Sequence, residues 1–382
     1  MSTLSDITTT THHIAILGGG KIGAAIAHLL TQVGDYSVTV MDRDASRFNI
    51  VAGPRVTTRI VDLADEAALA DALQGHYAAL NAAPFFLTEP AARAARSANV
   101  NYFDLTEDVK STKTVRAIAE SATAVFMPQC GLAPGFVSVV GADLARRFDP
   151  VRDVRMRVGA LPIYPSNALK YNLTWSTDGL INEYCNPCEA VVDGQLREMP
   201  ALEEIEHLSL DGIDYEAFNT SGGLGTLAES LAGRVHTLNY KTVRYPGHRD
   251  IMKILIQDLA LGERRALLKD VLETAVPITF QDVVLVFVTA SGLRNGLFEQ
   301  QTFARKIYSQ DVAGKLLSAI QLTTAAAICA MLDLHRDGHI KAHGFVRQEE
   351  VPLERFLANR FGQFYAGASA HDGQRAHSVC MT

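Results

Sequence analysis

Tryptophan occurs once and cysteine five times among 382 residues. An odd set of cysteines, Cys130, Cys185, Cys188, Cys329 and Cys380, does not suggest a disulfide framework, so the expected setting is a reducing cytoplasm. Basic residues are the minority: 35 Lys and Arg stand against 42 Asp and Glu, a formal net charge of −7. That balance argues against nucleic acid or an anionic membrane as the partner. Long apolar runs are also missing. Val283 to Val288 has only strand length, and Leu316 to Leu332 is interrupted by Ser318, Gln321, Thr323 and Thr324. Neither matches the roughly 18 residues of a bilayer span. Met1 to His13 lacks the basic-then-apolar order of a secretory signal. Hydrophobic residues make up 48% and charged residues 20%, an ordinary globular balance with ample length for a core.

Strand-like and helix-like segments alternate through the first third. Apolar strand patterns at His13–Leu17, Tyr36–Met41, Arg59–Leu63, Tyr77–Ala82, Asn101–Leu105 and Ala124–Met127 frame helical ones at Lys21–Val33, Asp65–Leu73, Glu89–Ala98 and Thr114–Glu120. This predicts an α/β fold with a Rossmann-type, doubly wound parallel sheet. After Gly131 the rhythm changes: Pro134, Pro150, Pro162 and Pro165 punctuate longer strands at Val154–Leu161, Lys241–Tyr245 and Val283–Ala290. A second α/β domain with a mixed sheet is expected. The expected boundaries are a flexible start (1–12), a dinucleotide-binding domain (13–130), a substrate-binding and dimerisation domain (131–315), a helical return to the first domain (316–365) and a flexible tail (366–382). The amount of apolar surface in Leu316–Leu332 and Val283–Val288 suggests a homodimer.

Gly18-x-Gly20-x-x-Gly23 lies between the first strand and the first helix. The first glycine permits the turn, the second lets backbone approach a pyrophosphate, and the third allows close helix–strand packing. The helix start at Lys21 and Ile22 offers free N–H groups to the phosphates. Asp42 follows Gly23 by 19 positions and suits the ribose hydroxyls of NAD, while the neighbouring Arg43 keeps the 2′-phosphate of NADP open as the less favoured choice. Asp62 is placed near the adenine edge, and Asn81-Ala82-Ala83-Pro84 beside the nicotinamide half.

Several later blocks are more specific. They are Asn101-Tyr102-Phe103-Asp104-Leu105-Thr106, Gly131-Leu132-Ala133-Pro134-Gly135-Phe136, Gly159 to Pro162, Tyr171 to Tyr184, Phe218 to Gly223, and Arg244-Tyr245-Pro246-Gly247-His248. In these blocks the chain resembles the saccharopine dehydrogenase family, over roughly residues 12 to 350. The resemblance implies hydride transfer between a nicotinamide cofactor and a C–N bond. It places Phe103, Asp104 and the Gly131 loop at the cofactor–substrate cleft, and Tyr171 to Asp178 and Thr220-Ser221-Gly222 against the substrate. Saccharopine reductases carry Lys at the position of Asn172 and Arg at that of Asp178. An Asp there cannot hold an extra carboxylate but can hold an ammonium. The likeness is then greatest to the lysine 6-dehydrogenases, which oxidise the ε-amine of L-lysine.

Such oxidation needs a neutral amine, and a lysine side chain has a pKa of roughly 10.4. A base or desolvation must remove the proton. Asp104, His248 and Asp178 are the candidate catalytic groups, with Glu183 expected on an exposed or ion-paired helix face. Thr220, Ser221 and Gly222 form a possible carboxylate nest, and Tyr171 and Trp175 could cover the alkyl chain. Cys185-Asn186-Pro187-Cys188 has no second pair at zinc spacing, so two ordinary thiols and no metal are expected. The reading is an NAD-dependent enzyme acting on a small amine or amino acid. Reductive condensation of a saccharopine or carboxynorspermidine type and a non-catalytic NAD-binding sensor stand as alternatives.

Overall fold

The alternating first third folds as a parallel sheet. The computed structural model describes residues 11–51 and 53–366. The expected loose ends at 1–10 and 367–382 lie outside the described residues. Further in, that expectation gives way: His12 already pairs with Tyr36, and the Ala366 carbonyl accepts from Arg305 Nε at 3.1 Å.

Strands β1 (His12–Leu17), β2 (Tyr36–Asp42), β3 (Val56–Ile60), β4 (Ala78–Asn81), β5 (Asn101–Asp104) and β6 (Val125–Met127) alternate with helices α1 (Lys21–Gln32), α2 (Glu66–Leu73), α3 (Thr88–Ala98) and α4 (Val109–Ala119). Their order across the sheet is β6-β5-β4-β1-β2-β3, so the winding reverses between β1 and β4. β3 lies three residues before the expected Arg59–Leu63. It is the edge strand and its last four residues are exposed, so no apolar alternation marks it. The apolar signal belonged to Val61 and Leu63, which are buried where the chain leaves the strand. α4 starts five residues before the expected Thr114, where the Asp108 carboxylate caps the Ser111 N–H at 2.7 Å.

Helix α5 (Phe136–Ala145) leads into the second sheet. β7 (Val151–Pro162) precedes α6 (Thr177–Cys185) and the strands β8 (Cys188–Val192), β9 (Gln195–Met199), β10 (Glu206–Leu210) and β11 (Ile213–Asn219). α7 (Leu227–Leu231), β12 (Thr237–Arg244), α8 (His248–Lys253), α9 (Arg265–Ala275), β13 (Asp282–Arg294) and β14 (Leu297–Tyr308) complete it. The sheet order is β10-β11-β12-β7-β13-β14, with β12 and β7 parallel and the other neighbours antiparallel. It is therefore a mixed sheet.

A small hairpin, β15 (Gln310–Val312) and β16 (Lys315–Leu317), then brings the chain back: His28 Nε2 lies 2.7 Å from the Val312 carbonyl. Helix α10 (Ala319–Arg336) follows, and β17 (Gly344–Phe345) adds to the first sheet beside β6. α11 (Leu353–Ala358) comes last. α10 begins three residues after the expected Leu316 because β16 uses Lys315 to Leu317 and Ser318 is the N-cap. Ser318 and Gln321 form a capping box, and the Asp282 carboxylate accepts from the Ala319 and Ile320 N–H groups at 2.6 and 3.1 Å. The helix is buried almost all round, against α1 and the β13 face. One apolar core thus runs from the first sheet through α1, α5 and α10 to the second. Each fully buried Leu or Ile in it contributes about 1.5–3 kcal/mol relative to exposure. Among the described residues no helix is long and apolar enough to cross a membrane.

Candidate active site

The crevice opens where the winding reverses, at the carboxyl ends of β1 and β4. Gly18 has φ +103°, and a Cβ there would lie 3.1 Å from the Ala82 carbonyl oxygen and the Ala83 nitrogen. A Cβ on Gly23 would sit 1.9 Å from the Gly18 oxygen, so close packing of α1 demands glycine. Gly20 is different: a Cβ would meet nothing within 4 Å, which leaves open space over the turn. α1 has no side-chain cap and no acidic residue in its first turn, so its leading N–H groups are free for an anion. The Asp42 carboxylate ends β2 and is held by the Gly19 N–H at 2.8 Å and the Asp44 N–H at 3.0 Å. Each oxygen keeps a further acceptor position for a ribose hydroxyl. Exposed Arg43 follows it. Arg47, which sequence reasoning passed over, packs its Cβ beside Gly19. These features fit a dinucleotide: Gly18 to Gly23 for the pyrophosphate, and Asp42 for the adenosine ribose.

Asp62 is exposed two residues beyond β3, with its carboxylate in a turn accepting from the Ala64 N–H at 3.0 Å. Asn81 is braced by its own surroundings. Its amide donates to Tyr102 Oη at 3.0 Å and its oxygen accepts from the Ala83 N–H at 3.0 Å, so the side chain shapes the Ala82-Ala83-Pro84 loop from beneath.

Asp104 ends β5 and is buried. One carboxylate oxygen accepts from the Thr106 and Gln129 N–H groups, both at 3.0 Å, while Oδ2 is buried without a partner. Burial pushes its pKa up to about 6, against those two hydrogen bonds and the neighbouring Tyr102 hydroxyl. Glu107 lies three residues on, in the exit loop. Burial, with Asp108 and Asp104 nearby, pushes it up to about 7. Glu183 on α6 is buried rather than exposed or ion-paired as expected. Burial and the charge of Glu107 drive its pKa well upward. Asp104, Glu107 and Glu183 thus form a series in which each charge is felt by the next.

Arg244 closes the series at the end of β12. Only 2% exposed, it is within reach of the Glu183 charge. Its Nε donates to Tyr184 Oη at 3.0 Å and Nη1 to the Val243 carbonyl at 2.9 Å. The guanidinium lies 5.1 Å from the Tyr171 ring centre. Among the described residues Nη2 has no hydrogen-bond partner.

His248 is not the acid–base group expected. The ring is fully buried, and Nδ1 lies 2.9 Å from the Leu169 carbonyl, which can only accept. The proton is therefore on Nδ1, and Nε2 accepts from Tyr184 Oη at 3.1 Å. Burial and the Arg244 charge lower its pKa to about 3, so it stays neutral. It holds Tyr184, which holds Arg244. Asp178 also departs from expectation: its carboxylate pairs with Lys269 Nζ of α9 at 2.6 Å, half exposed. Phe103 faces the core, edge-on to His335 at 5.7 Å between ring centres, and does not line the cleft.

Tyr171 and Trp175 meet beside Arg244. Trp175 Nε1 donates to Tyr171 Oη at 3.1 Å, and the indole covers Gly179, where a Cβ would approach within 2.4 Å. Tyr171 thereby serves as a wall under Arg244. The Thr220-Ser221-Gly222 loop touches the backbone of both acidic residues. Ser221 N–H donates to the Glu183 carbonyl at 2.9 Å, and a Cβ on Gly222 would lie 2.4 Å from the Glu107 carbonyl oxygen. Thr220 Oγ1 is buried and unpartnered. Gly131 pairs with Gly135 in a tight loop, and a Cβ on Gly131 would lie 3.2 Å from the Pro134 oxygen. Cys130 is buried, donating S–H to the Met127 carbonyl at 3.1 Å. Cys185 and Cys188 are free thiols. Among the described residues no three His, Cys, Asp or Glu side chains gather as a metal site.

A free helix N-terminus at a switch-point crevice, with a buried carboxylate at the end of the strand beside β4, is the arrangement of an NAD(P)-dependent dehydrogenase. Residues 14–127 match the family model described as saccharopine dehydrogenase NADP binding domain, and residues 131–361 match saccharopine dehydrogenase C-terminal domain. The chain belongs to the saccharopine dehydrogenase family. Its fold is similar to that of an apo histidine-tagged saccharopine dehydrogenase (L-Glu forming) from Saccharomyces cerevisiae, with TM-score 0.72 and 16% identity over 91% of this chain and 97% of that one. A more distant match is the C. glutamicum DAP dehydrogenase in complex with DAP, with TM-score 0.48 and 12% identity over 91% of this chain and 95% of that one.

Proposed function

We propose that the enzyme oxidises the ε-amine of L-lysine with NAD. The imine formed takes up water, releases ammonia to give allysine, and cyclises to piperideine-6-carboxylate. The observation that carries this reading is the series Asp104, Glu107, Glu183, Arg244. It has one buried guanidinium with an open donor at one end and an unpartnered carboxylate oxygen at the other. One guanidinium suits one substrate carboxylate, whereas saccharopine carries three. Of the other cations near α6, Lys269 is taken by Asp178, and Arg265 donates to the Asn182 and Asn186 side-chain oxygens.

The Gly18 to Gly23 turn and Asp42 would hold the dinucleotide, whose nicotinamide would supply the hydride acceptor for the carbon that bears the amine. Asp104 takes the proton from the ε-ammonium through Oδ2, leaving a nitrogen lone pair to drive the oxidation. Arg244 fixes the carboxylate, and the Tyr171 and Trp175 wall keeps water from the alkyl chain.

The test is reduction of NAD and, separately, NADP by L-lysine, L-ornithine and saccharopine, followed by absorbance. Turnover with L-lysine is expected. Turnover with saccharopine alone overturns the reading, and silence toward all three, with NADH oxidation by an amine plus a keto acid, turns it to reductive condensation. The cofactor choice has its own check. Asp42→Ala is expected to weaken NAD by about tenfold and to narrow its advantage over NADP, because the lost group contributes about one charge-assisted hydrogen-bond pair. An unchanged NAD to NADP ratio in kcat/KM would assign the choice to Arg43 and Arg47.

A further inference from the structure

A second cavity lies apart from the crevice, between α5 and α7. It measures about 470 Å³, within the roughly 300–1,000 Å³ of small-molecule sites. α5 starts at the Gly131–Gly135 loop, and at 1.5 Å per residue Ala145 in the cavity wall is about 15 Å further along the helix. The apolar side of the wall is Phe148, Leu227 and Leu231. Arg146, Arg234, Glu349 and the exposed Asp149 supply its charges. Among the described residues none of these four has a salt-bridge partner, although neighbours do: Arg147 pairs with Asp143 at 2.6 Å, and Arg152 with Asp153 at 3.8 Å. Arg146 instead donates Nη1 to the Glu349 backbone carbonyl at 3.1 Å. Glu349 is 6% exposed, and its carboxylate is fixed by the Thr226 hydroxyl at 2.8 Å and by the Ser230 hydroxyl.

A buried carboxylate held by hydroxyls alone keeps acceptor positions that suit a cation, and burying it without one is costly. Guanidiniums without a carboxylate partner offer paired donors to one. Two positive and two negative residues balance around the cavity, so a zwitterion fits it better than an ion of one sign. We propose that this cavity is a second binding site, separate from the active site, for an α-amino acid with an apolar side chain. The ligand carboxylate meets Arg146 and Arg234, its ammonium meets Glu349, and its side chain lies on Phe148, Leu227 and Leu231. Removing either charged end of the ligand leaves one of these groups without its counterpart.

The experiment is calorimetric titration of the whole enzyme with three compounds. They are L-leucine, 4-methylpentanoate, which lacks the α-amine, and 3-methylbutylamine, which lacks the carboxylate. L-leucine is expected to bind, and each analogue to bind at least about tenfold more weakly, because hydrogen bonds to a charged group are lost. Arg234→Met, a change at an exposed position, is expected to weaken L-leucine by about tenfold, whereas Arg244→Met in the active site leaves it unchanged. Glu349→Gln is expected to remove most of the preference for L-leucine over 4-methylpentanoate. Melting temperature shows that each variant is folded, and Arg234→Met decides if Glu349→Gln is not. Failure of L-leucine to bind the wild type overturns the site, and equal binding of 4-methylpentanoate overturns its assignment to an amino acid. Binding that is lost in Arg244→Met and kept in Arg234→Met puts the ligand in the crevice and overturns the second site. None of these readouts depends on which amine the enzyme oxidises.

Discussion

Asp104→Asn is expected to lower kcat for L-lysine by about 10²–10⁴-fold while leaving NADH affinity unchanged. The size follows from the task. The ε-ammonium must lose a proton before its carbon can give up hydride, and an amide cannot accept that proton. The geometry favours Asp104 over the other candidates. It ends a parallel strand at the crevice, one oxygen is tied down by the Thr106 and Gln129 N–H groups, and the other is idle. Its pKa of about 6 sets the direction of the pH dependence. Below that value the carboxyl is protonated and cannot act as base, so kcat/KM should rise with unit slope up to about pH 6 and then level off. In Asp104→Asn that acid limb should vanish. A limb that persists at the same pH in the variant would assign it to another group, with Glu107, up to about 7, the first to examine. His248 does not suit that role, because its Nδ1 is held by the Leu169 carbonyl and its Nε2 by the Tyr184 hydroxyl, and burial lowers its pKa to about 3.

The first sheet was legible because its determinants are local. Glycines at 18, 20 and 23 act within one turn, and β1, β2 and β4 each carry an apolar run flanked by polar residues. β3 was misplaced by three residues because an exposed edge strand needs no apolar face, while the buried Val61 and Leu63 beyond it imitate one. The second domain gave only approximate strands, since its order in the sheet depends on long connections. The placement of the candidate residues divides for the same reason. Asp104 ends β5, where the local apolar pattern of that strand put it. His248 and Asp178 were misjudged because their partners, Leu169 and Lys269, lie 79 and 91 positions away in sequence. Glu107 was missed although it stands three residues beyond Asp104, in the exit loop where ligands of parallel sheets bind. Arg244 was quoted within a block but given no role. The signal was available: Tyr240, Thr242 and Arg244 alternate onto one face of β12, and a lone arginine closing such a buried face needs a partner for its charge.

That arginine carries the second large expected effect. Arg244→Met should reduce kcat/KM for L-lysine by about 10²–10³-fold, within the range for removing one member of a buried charge pair. Arg244→Lys should recover part of the loss, since it restores a charge but not the planar fork that meets a carboxylate through two parallel bonds. A structural role alone would weaken every substrate equally, so the comparison compound matters. Cadaverine has the reacting amine and no carboxylate. If Arg244 anchors the carboxylate, cadaverine is a poor substrate of the wild type and loses little further in either variant. A parallel loss for both compounds would instead make Arg244 a packing residue beneath Tyr171 and Tyr184. The relay behind it predicts the grading between these results. Tyr184 Oη accepts from Arg244 Nε and donates to His248 Nε2, whose other nitrogen is fixed on the Leu169 carbonyl. The guanidinium plane is therefore set by three hydrogen bonds in sequence, each with only one direction open to its proton. A lysine ammonium at this position would have no such plane to align, and that is why charge alone should restore only part of the activity.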